Sequence, residues 1–76
     1  MPSLKCSFGE FINIIRDHGF ILLRHDSTSH QRWKRMDGGT VYYIDIACHT
    51  DSKNISTGTL RSMIRQSGLP KKLFRK

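Results

Sequence analysis

The chain has 76 residues, which is enough for one small domain and too few for a deep cofactor pocket beside a separate binding surface. It contains 13 lysines and arginines against six acidic residues, so its formal net charge is +7 and its pI about 10.0. This charge favours a polyanionic partner, with nucleic acid ahead of an acidic protein and a membrane surface last.

We expect no segment of this sequence to direct it to a membrane or across one. Its longest apolar run, 20–23, is too short to span a bilayer, and the N-terminus lacks the pattern of a signal peptide. Two widely separated cysteines, Cys6 and Cys48, are typical of reduced thiols in the cytosol. We therefore expect one cytosolic domain over residues 1–76, without a membrane segment.

The first predicted element is a capped amphipathic helix over residues 8–18. Ser7 and Glu10 have the spacing of a capping box, in which each side chain accepts a hydrogen bond from the other residue's backbone. Gly19 is placed to end the helix in a left-handed conformation. The apolar residues recur at i, i+3, i+4 and i+7, which predicts one buried stripe: Phe8, Phe11, Ile12 and Ile15.

Three strands are predicted next. A short apolar strand over 20–24 is followed by a polar loop over 26–29 and a second strand over 30–36. A hairpin turn over 37–39 leads to a third strand over 40–47, which is rich in β-branched and aromatic residues.

A second helix is predicted after a polar loop, capped by Ser56 or Thr57 and continuing to about Ser67. Gly68 ends it, and a basic tail over 70–76 either docks or stays loose. The buried stripe of this helix is predicted to be Leu60, Met63 and Ile64. The domain core then extends over about 7–69.

The order of elements is αβββα, which predicts an α+β fold with two layers. In this arrangement a three-stranded antiparallel sheet carries both helices on one face. The same order is that of the double-stranded-RNA-binding fold, although a fold by itself does not fix a function.

Strand alternation predicts which side chains lie on the open face of the sheet. Trp33 is the large apolar residue in the middle of the second strand and should face the helices, which places His30, Arg32 and Lys34 on the open face. On the third strand the core residues are predicted to be Tyr42, Ile44 and Ile46, and the open-face residues Val41, Tyr43 and Asp45. One histidine among cations suits a phosphodiester, but an exposed antiparallel face is usually polar in any case.

The motifs of this chain resemble those of HicA-family toxins, from Ser7 to Leu69. The final helix motif, Gly-Thr-Leu-Arg-Ser-Met-Ile over 58–64, is the most specific part of the resemblance. The other shared features are Gly19–Phe20, Ser29–His30 followed by Trp33, and His49 before the last loop. Thr28 stands where the family usually has glycine.

The resemblance implies an mRNA interferase paired with a HicB-type antitoxin, with His30 as the catalytic residue. Ser29, next to that histidine, is a candidate RNA contact. RNA supplies its own nucleophile, the 2′-OH, so the chemistry needs a general base, a general acid and cations rather than a cofactor. His30 is predicted to act as base or acid, and Arg32 and Lys34 to hold the phosphate.

The sequence gives less support for a functional role of other residues. His49 is a candidate second proton carrier, although a loop histidine that caps a backbone group is the more common case. Arg61 and Arg65 form a cationic ridge at i and i+4, which is either a second RNA contact or a solvated helix face. The histidines and cysteines lack the spacing of zinc ligands, so no metal is expected.

Two further functions remain open at this point. The chain could be a non-catalytic RNA-binding protein that uses the double-stranded-RNA-binding fold. It could also be an interaction module in which the positive charge only docks an acidic protein.

Overall fold

A computed structural model describes residues 4–25, 30–47, 50 and 52–75 of the chain. In chain order the elements are α1 (Phe8–Asp17), β1 (Ile21–His25), β2 (His30–Asp37), β3 (Thr40–Ala47), α2 (Thr57–Ser67) and a short C-terminal 3₁₀ helix (Lys71–Phe74). The three strands form one antiparallel sheet in the order β1-β2-β3. The predicted αβββα fold is therefore confirmed.

The first helix begins and ends for the reasons expected from the sequence. The Ser7 amide donates to Glu10 Oε1 at 2.9 Å, and the Glu10 amide donates to Ser7 Oγ at 3.2 Å, which completes the capping box. Gly19 has a φ of 97°, so the chain turns there without the steric cost that a Cβ would bring. His18 closes the last turn through a 2.8 Å hydrogen bond between its Nδ1 and the Ile14 carbonyl.

The core lies between the sheet and the helices. Trp33 is 3 % exposed on β2, and Ile44 and Ile46 are buried beside it on β3. The predicted stripes of both helices are also buried in this layer: Phe8, Phe11, Ile12 and Ile15 on α1, and Leu60, Met63 and Ile64 on α2. Both helices therefore pack on one face of the sheet, and the other face is open.

The basic tail docks on the helical layer. Of the two possibilities left by the sequence, a docked tail and a loose one, the structure shows the first. Phe74 is 1 % exposed, and its ring stacks on that of Phe11 with 5.0 Å between centroids. Leu73 is half-buried against the same core. The tail therefore extends the core beyond the predicted boundary at Leu69.

Four element boundaries differ from the predicted ones by one residue: the end of α1, both ends of β1 and the end of β2. The first helix ends at Asp17 rather than at residue 18, because His18 already has non-helical dihedrals. The first strand begins at Ile21 rather than at residue 20, since the Phe20 side chain turns into the core and is 2 % exposed. Side-chain burial, which local propensity does not describe, sets this second boundary.

Gly68 ends α2, and we expect its replacement to destabilise the fold more than the replacement of any other glycine. A Cβ there would lie 2.4 Å from Tyr42 Cε1, and its φ of 69° is left-handed. We expect Gly68→Ala to lower the free energy of unfolding by about 1–3 kcal/mol through overpacking and strain. Urea titration followed by the fluorescence of Trp33, the only tryptophan, measures this.

The matched control is Gly58→Ala, because Gly58 lies in the first turn of the same helix and an added Cβ would have nothing within 4 Å of it. This change should raise the free energy of unfolding by less than about 1 kcal/mol, since alanine favours the helix. Equal stability of the two variants would contradict the contact between Gly68 and Tyr42.

Candidate functional site

His30 is the first residue of β2 and lies exposed on the open face of the sheet. Residues that face each other across an antiparallel pair share a face, and His30 lies opposite Ala47 of β3. Arg32 follows on the same face, opposite Asp45. The orientation predicted from strand alternation is therefore confirmed, with the buried Trp33 on the other face.

The side chains around His30 form an open cleft with a volume of about 270 Å³. Its lining residues are Arg24, His30, Gln31, Arg32 and Asp45. Gln31 connects this cleft to the core, because its Oε1 accepts a 2.9 Å hydrogen bond from the indole Nε1 of Trp33. The cleft can hold one phosphate group with its adjacent sugar, and it offers both cationic donors and an imidazole.

Arg32 is held in place by an acidic partner. Its Nη1 lies 3.0 Å and 3.2 Å from the two carboxylate oxygens of Asp45, and its guanidinium lies 4.4 Å from the centroid of the Tyr43 ring. The side chains of this ion pair are 41 % and 68 % exposed, so the pair contributes little to stability. Its effect is to orient the guanidinium, whose other donors remain available to an anion.

Lys34 lies farther along the same face and does not line the cleft. It is opposite Tyr43, and its Nζ lies 5.9 Å from the centroid of that ring. Four residues of a strand separate it from His30, which corresponds to about 13 Å along β2. Lys34 therefore shares the open face with His30 but does not belong to the cleft.

The sequence analysis assigned no role to three residues of the cleft, Arg24, Gln31 and Asp45, although it placed Asp45 on the open face. The register of β1 on β2 shifts between Leu22 and Arg24, which is a β-bulge. Leu22 lies opposite Trp33 on the helix side, whereas Arg24 lies opposite Arg32 on the open side. Simple alternation would place Leu22 and Arg24 on the same face, so no pattern in the strand reveals that Arg24 reaches the cleft.

The structure does not bring Arg61 and Arg65 to this cleft. Arg61 and Arg65 are exposed on α2, which packs through its opposite side on the buried face of the sheet. Ser29 and His49, and also Thr28, lie outside the described residues. Their predicted roles remain predictions.

Two negative findings apply to the described part of the chain. Among those residues no group of three or more histidines, cysteines and acids is placed to hold a metal ion. No helix there is both long and apolar enough to cross a membrane.

The fold and the site define a class: a small basic α+β domain with a histidine and arginines on the open face of its sheet. The family model of the HicA toxin of bacterial toxin–antitoxin systems matches residues 8–69. The chain therefore belongs to the HicA toxin family, as its motifs predicted. No curated protein and no solved structure gives a significant match.

Asp45→Asn tests whether the ion pair orients Arg32 or stabilises the fold. We expect the free energy of unfolding to change by less than about 1 kcal/mol, because both partners are largely exposed. The side-chain NMR signals of the Arg32 guanidinium should lose their separation from those of other arginines. A loss of stability above about 2 kcal/mol would contradict this assignment.

Proposed function

We propose that this protein is the toxin of a toxin–antitoxin pair and acts in the cytosol as a metal-independent endoribonuclease that cleaves mRNA. The observation that carries this proposal is the exposed His30 in an open cleft beside Arg24 and Arg32. Membership of the HicA toxin family supports the toxin role and the existence of an antitoxin.

The chemistry follows from the substrate and the residues present. The 2′-OH of RNA attacks the adjacent phosphorus, a base takes its proton, and the bond from phosphorus to the 5′-oxygen breaks. That leaving oxygen takes a proton from an acid, so the products carry a 2′,3′-cyclic phosphate and a 5′-hydroxyl. His30 performs one of the two proton transfers, since an imidazole ring can both accept and donate a proton.

The cations stabilise the charge that develops on the phosphate. Arg32 is already oriented by Asp45, so it loses little freedom when it binds a phosphate oxygen. Arg24 faces the same cleft, and Lys34 is placed to hold the neighbouring phosphate. His49 is our candidate for the second proton transfer, and Ser29 for a contact with the RNA next to His30.

His30→Ala should lower RNA cleavage in EDTA by about 10²- to 10⁴-fold, because it removes one proton-transfer group. The control is His18→Ala, since His18 is exposed at the end of α1 and bonds only the Ile14 carbonyl. Denaturing gels measure the rate, and mass spectrometry of the RNA product ends checks for the cyclic phosphate.

Induction of the parent chain should arrest bacterial growth, whereas induction of the His30 variant should not.

Three outcomes would contradict the proposal. Equal cleavage by the parent and the His30 variant would remove this residue from the mechanism. Products with 3′-hydroxyl and 5′-phosphate ends would exclude attack by the 2′-OH. Binding of RNA by both proteins without any cleavage would indicate a non-catalytic RNA-binding protein.

We also propose that a HicB-type antitoxin neutralises the toxin by covering the open face. At the end of the sheet away from His30, this face carries three exposed apolar side chains, which we call the apolar end: Ile21 at 61 %, Met36 at 66 % and Val41 at 41 % exposure. Met36 lies opposite Val41, and Ile21 lies opposite Lys34. Such neighbouring apolar side chains favour a protein partner, whereas the cleft itself offers charges.

Met36→Glu should weaken antitoxin binding by tenfold or more, because it places a charge in the apolar end. Cleavage of RNA by the free toxin should change little. The control is Gln66→Glu, which adds the same charge at an exposed position of α2 in the other layer. Calorimetric titration with the purified antitoxin measures the affinity, and equal binding by the two variants would place the antitoxin elsewhere.

A further inference from the structure

The positive charge of this protein is concentrated in its C-terminal third. Residues 52–76 contain seven of the 13 lysines and arginines and none of the six acidic residues. Residues 1–51 contain six basic and six acidic residues, so their formal charges cancel. The whole excess of +7 therefore belongs to α2 and the segments on either side of it.

The face that carries His30 has no comparable excess. On that face Arg32 is paired with Asp45 at 3.0 Å, and Arg24 and Lys34 are its only cations without an ion pair within the described part of the chain. A polyanion is attracted by the summed field of unmatched charges rather than by individual pairs. The larger excess in residues 52–76 therefore attracts a polyanion to the helical layer as well as to the cleft.

A groove in the helical layer collects these unmatched charges. It lies between the exposed side of α2 and the chain that follows Gly68, and its volume is about 360 Å³. Arg61, Arg65 and Lys71 line it, above an apolar floor of Ile64 and Leu69. None of the three cations forms an ion pair within the described part of the chain. We call this feature the α2 groove.

The two arginines of α2 repel each other. Arg61 and Arg65 are four residues apart, which places two like charges on one side of α2, and like charges at this spacing destabilise a helix. No acidic residue in α2 compensates for them. Arg65 lies in the last turn, where the helix dipole favours a cation, so the net cost to the helix is small and both guanidinium groups stay available to an anion.

We propose that the α2 groove is an anchoring site for the RNA backbone, separate from the cleavage cleft. Arginine guanidinium groups bind phosphates through two parallel hydrogen bonds, and a row of such groups tracks a backbone without regard to sequence. Four residues of helix advance by about 6 Å, which suits neighbouring phosphates of an extended strand. The groove contains no aromatic side chain that would select a base.

This proposal rests on RNA being the substrate. It assigns RNA binding and RNA cleavage to two different faces of the protein. The groove supplies affinity, whereas the cleft at His30 supplies the chemistry. The Cα envelope measures only 19 Å in its shortest dimension, so a flexible single strand can run from one face to the other around an edge. Short RNA that occupies only the cleft should gain nothing from the groove.

The test uses the full chain with His30→Ala, so that binding is measured without cleavage. Fluorescence anisotropy with a labelled 20-nucleotide single-stranded RNA gives Kd between 50 and 200 mM KCl. We expect Arg61→Gln with Arg65→Gln to weaken binding by about tenfold at the lower salt concentration. The slope of log Kd against log salt concentration should fall by about 1.4, since two phosphate contacts are lost.

The matched control is Lys5→Gln with Lys53→Gln, which removes the same charge at two exposed positions outside the groove. Glutamine is as good a helix former as arginine, so the groove variant should retain its fold, and circular dichroism checks this. Equal affinities and equal salt slopes for the two double variants would overturn the proposal. Unchanged RNA binding with lost antitoxin binding would also overturn it, and would assign the groove to an acidic protein segment.

A second measurement separates this proposal from the nuclease proposal. With His30 intact, the groove variant should cleave a dinucleotide as fast as the parent but cleave the 20-nucleotide RNA with a lower kcat/KM. An equal loss on both substrates would overturn the anchoring role. If no protein cleaves RNA, the nuclease proposal fails while the anisotropy result still decides whether the groove binds RNA.

Discussion

The burial of Trp33 fixes the orientation of the middle strand, and the functional face depends on it. Side chains of a strand alternate between faces, so a shift of one residue in the pairing would exchange the two sets. Trp33 is 3 % exposed in the core, its indole donates to Gln31, and the Arg16 guanidinium lies 5.5 Å from its ring centroid. These contacts keep His30 on the open side, where a substrate can reach it.

A second buried group sets the position of α2 on the sheet. The Arg35 guanidinium lies between the rings of Phe20 and Tyr42, with centroids at 5.4 Å and 4.5 Å, and its Nη2 donates to the Ser67 carbonyl at 3.0 Å. The Ser67 carbonyl is at the end of α2, where helix carbonyls lack partners within the helix. Arg35 therefore ties β2 to the C-terminal end of α2, and Gly68 packs against Tyr42 at the same corner.

This corner connects the two faces that we assign to function. It lies between the open face, with the His30 cleft and the apolar end, and the helical layer, with the α2 groove. A rigid connection fixes the position of the two surfaces relative to each other. One RNA strand could then contact both without a change in the protein's conformation. In our proposal, the antitoxin covers only the open face. Affinity for RNA and inhibition by the antitoxin can therefore be altered separately by substitution.

The sequence by itself determined the element order, the cap of α1 and the face of each β2 and β3 side chain, because these depend on local spacing. The capping box at Ser7 and Glu10 and the alternation around Trp33 are patterns of this kind. At the start of α2, Ser56 occupies the N-cap position but its side chain makes no capping hydrogen bond. The family motifs of the sequence also indicated the HicA toxin family, which the match over residues 8–69 shows.

Only the tertiary structure decided which distant residues meet. The bulge in β1 brings Arg24 to the cleft against simple alternation, and the pairing of β2 with β3 joins Arg32 to Asp45. The docking of Phe74 and the separation of Arg61 and Arg65 from His30 likewise follow from packing. Local patterns predict which side chains are buried. Which distant residue each of them contacts depends on long-range strand pairing and on the free-energy cost of leaving apolar surface in water.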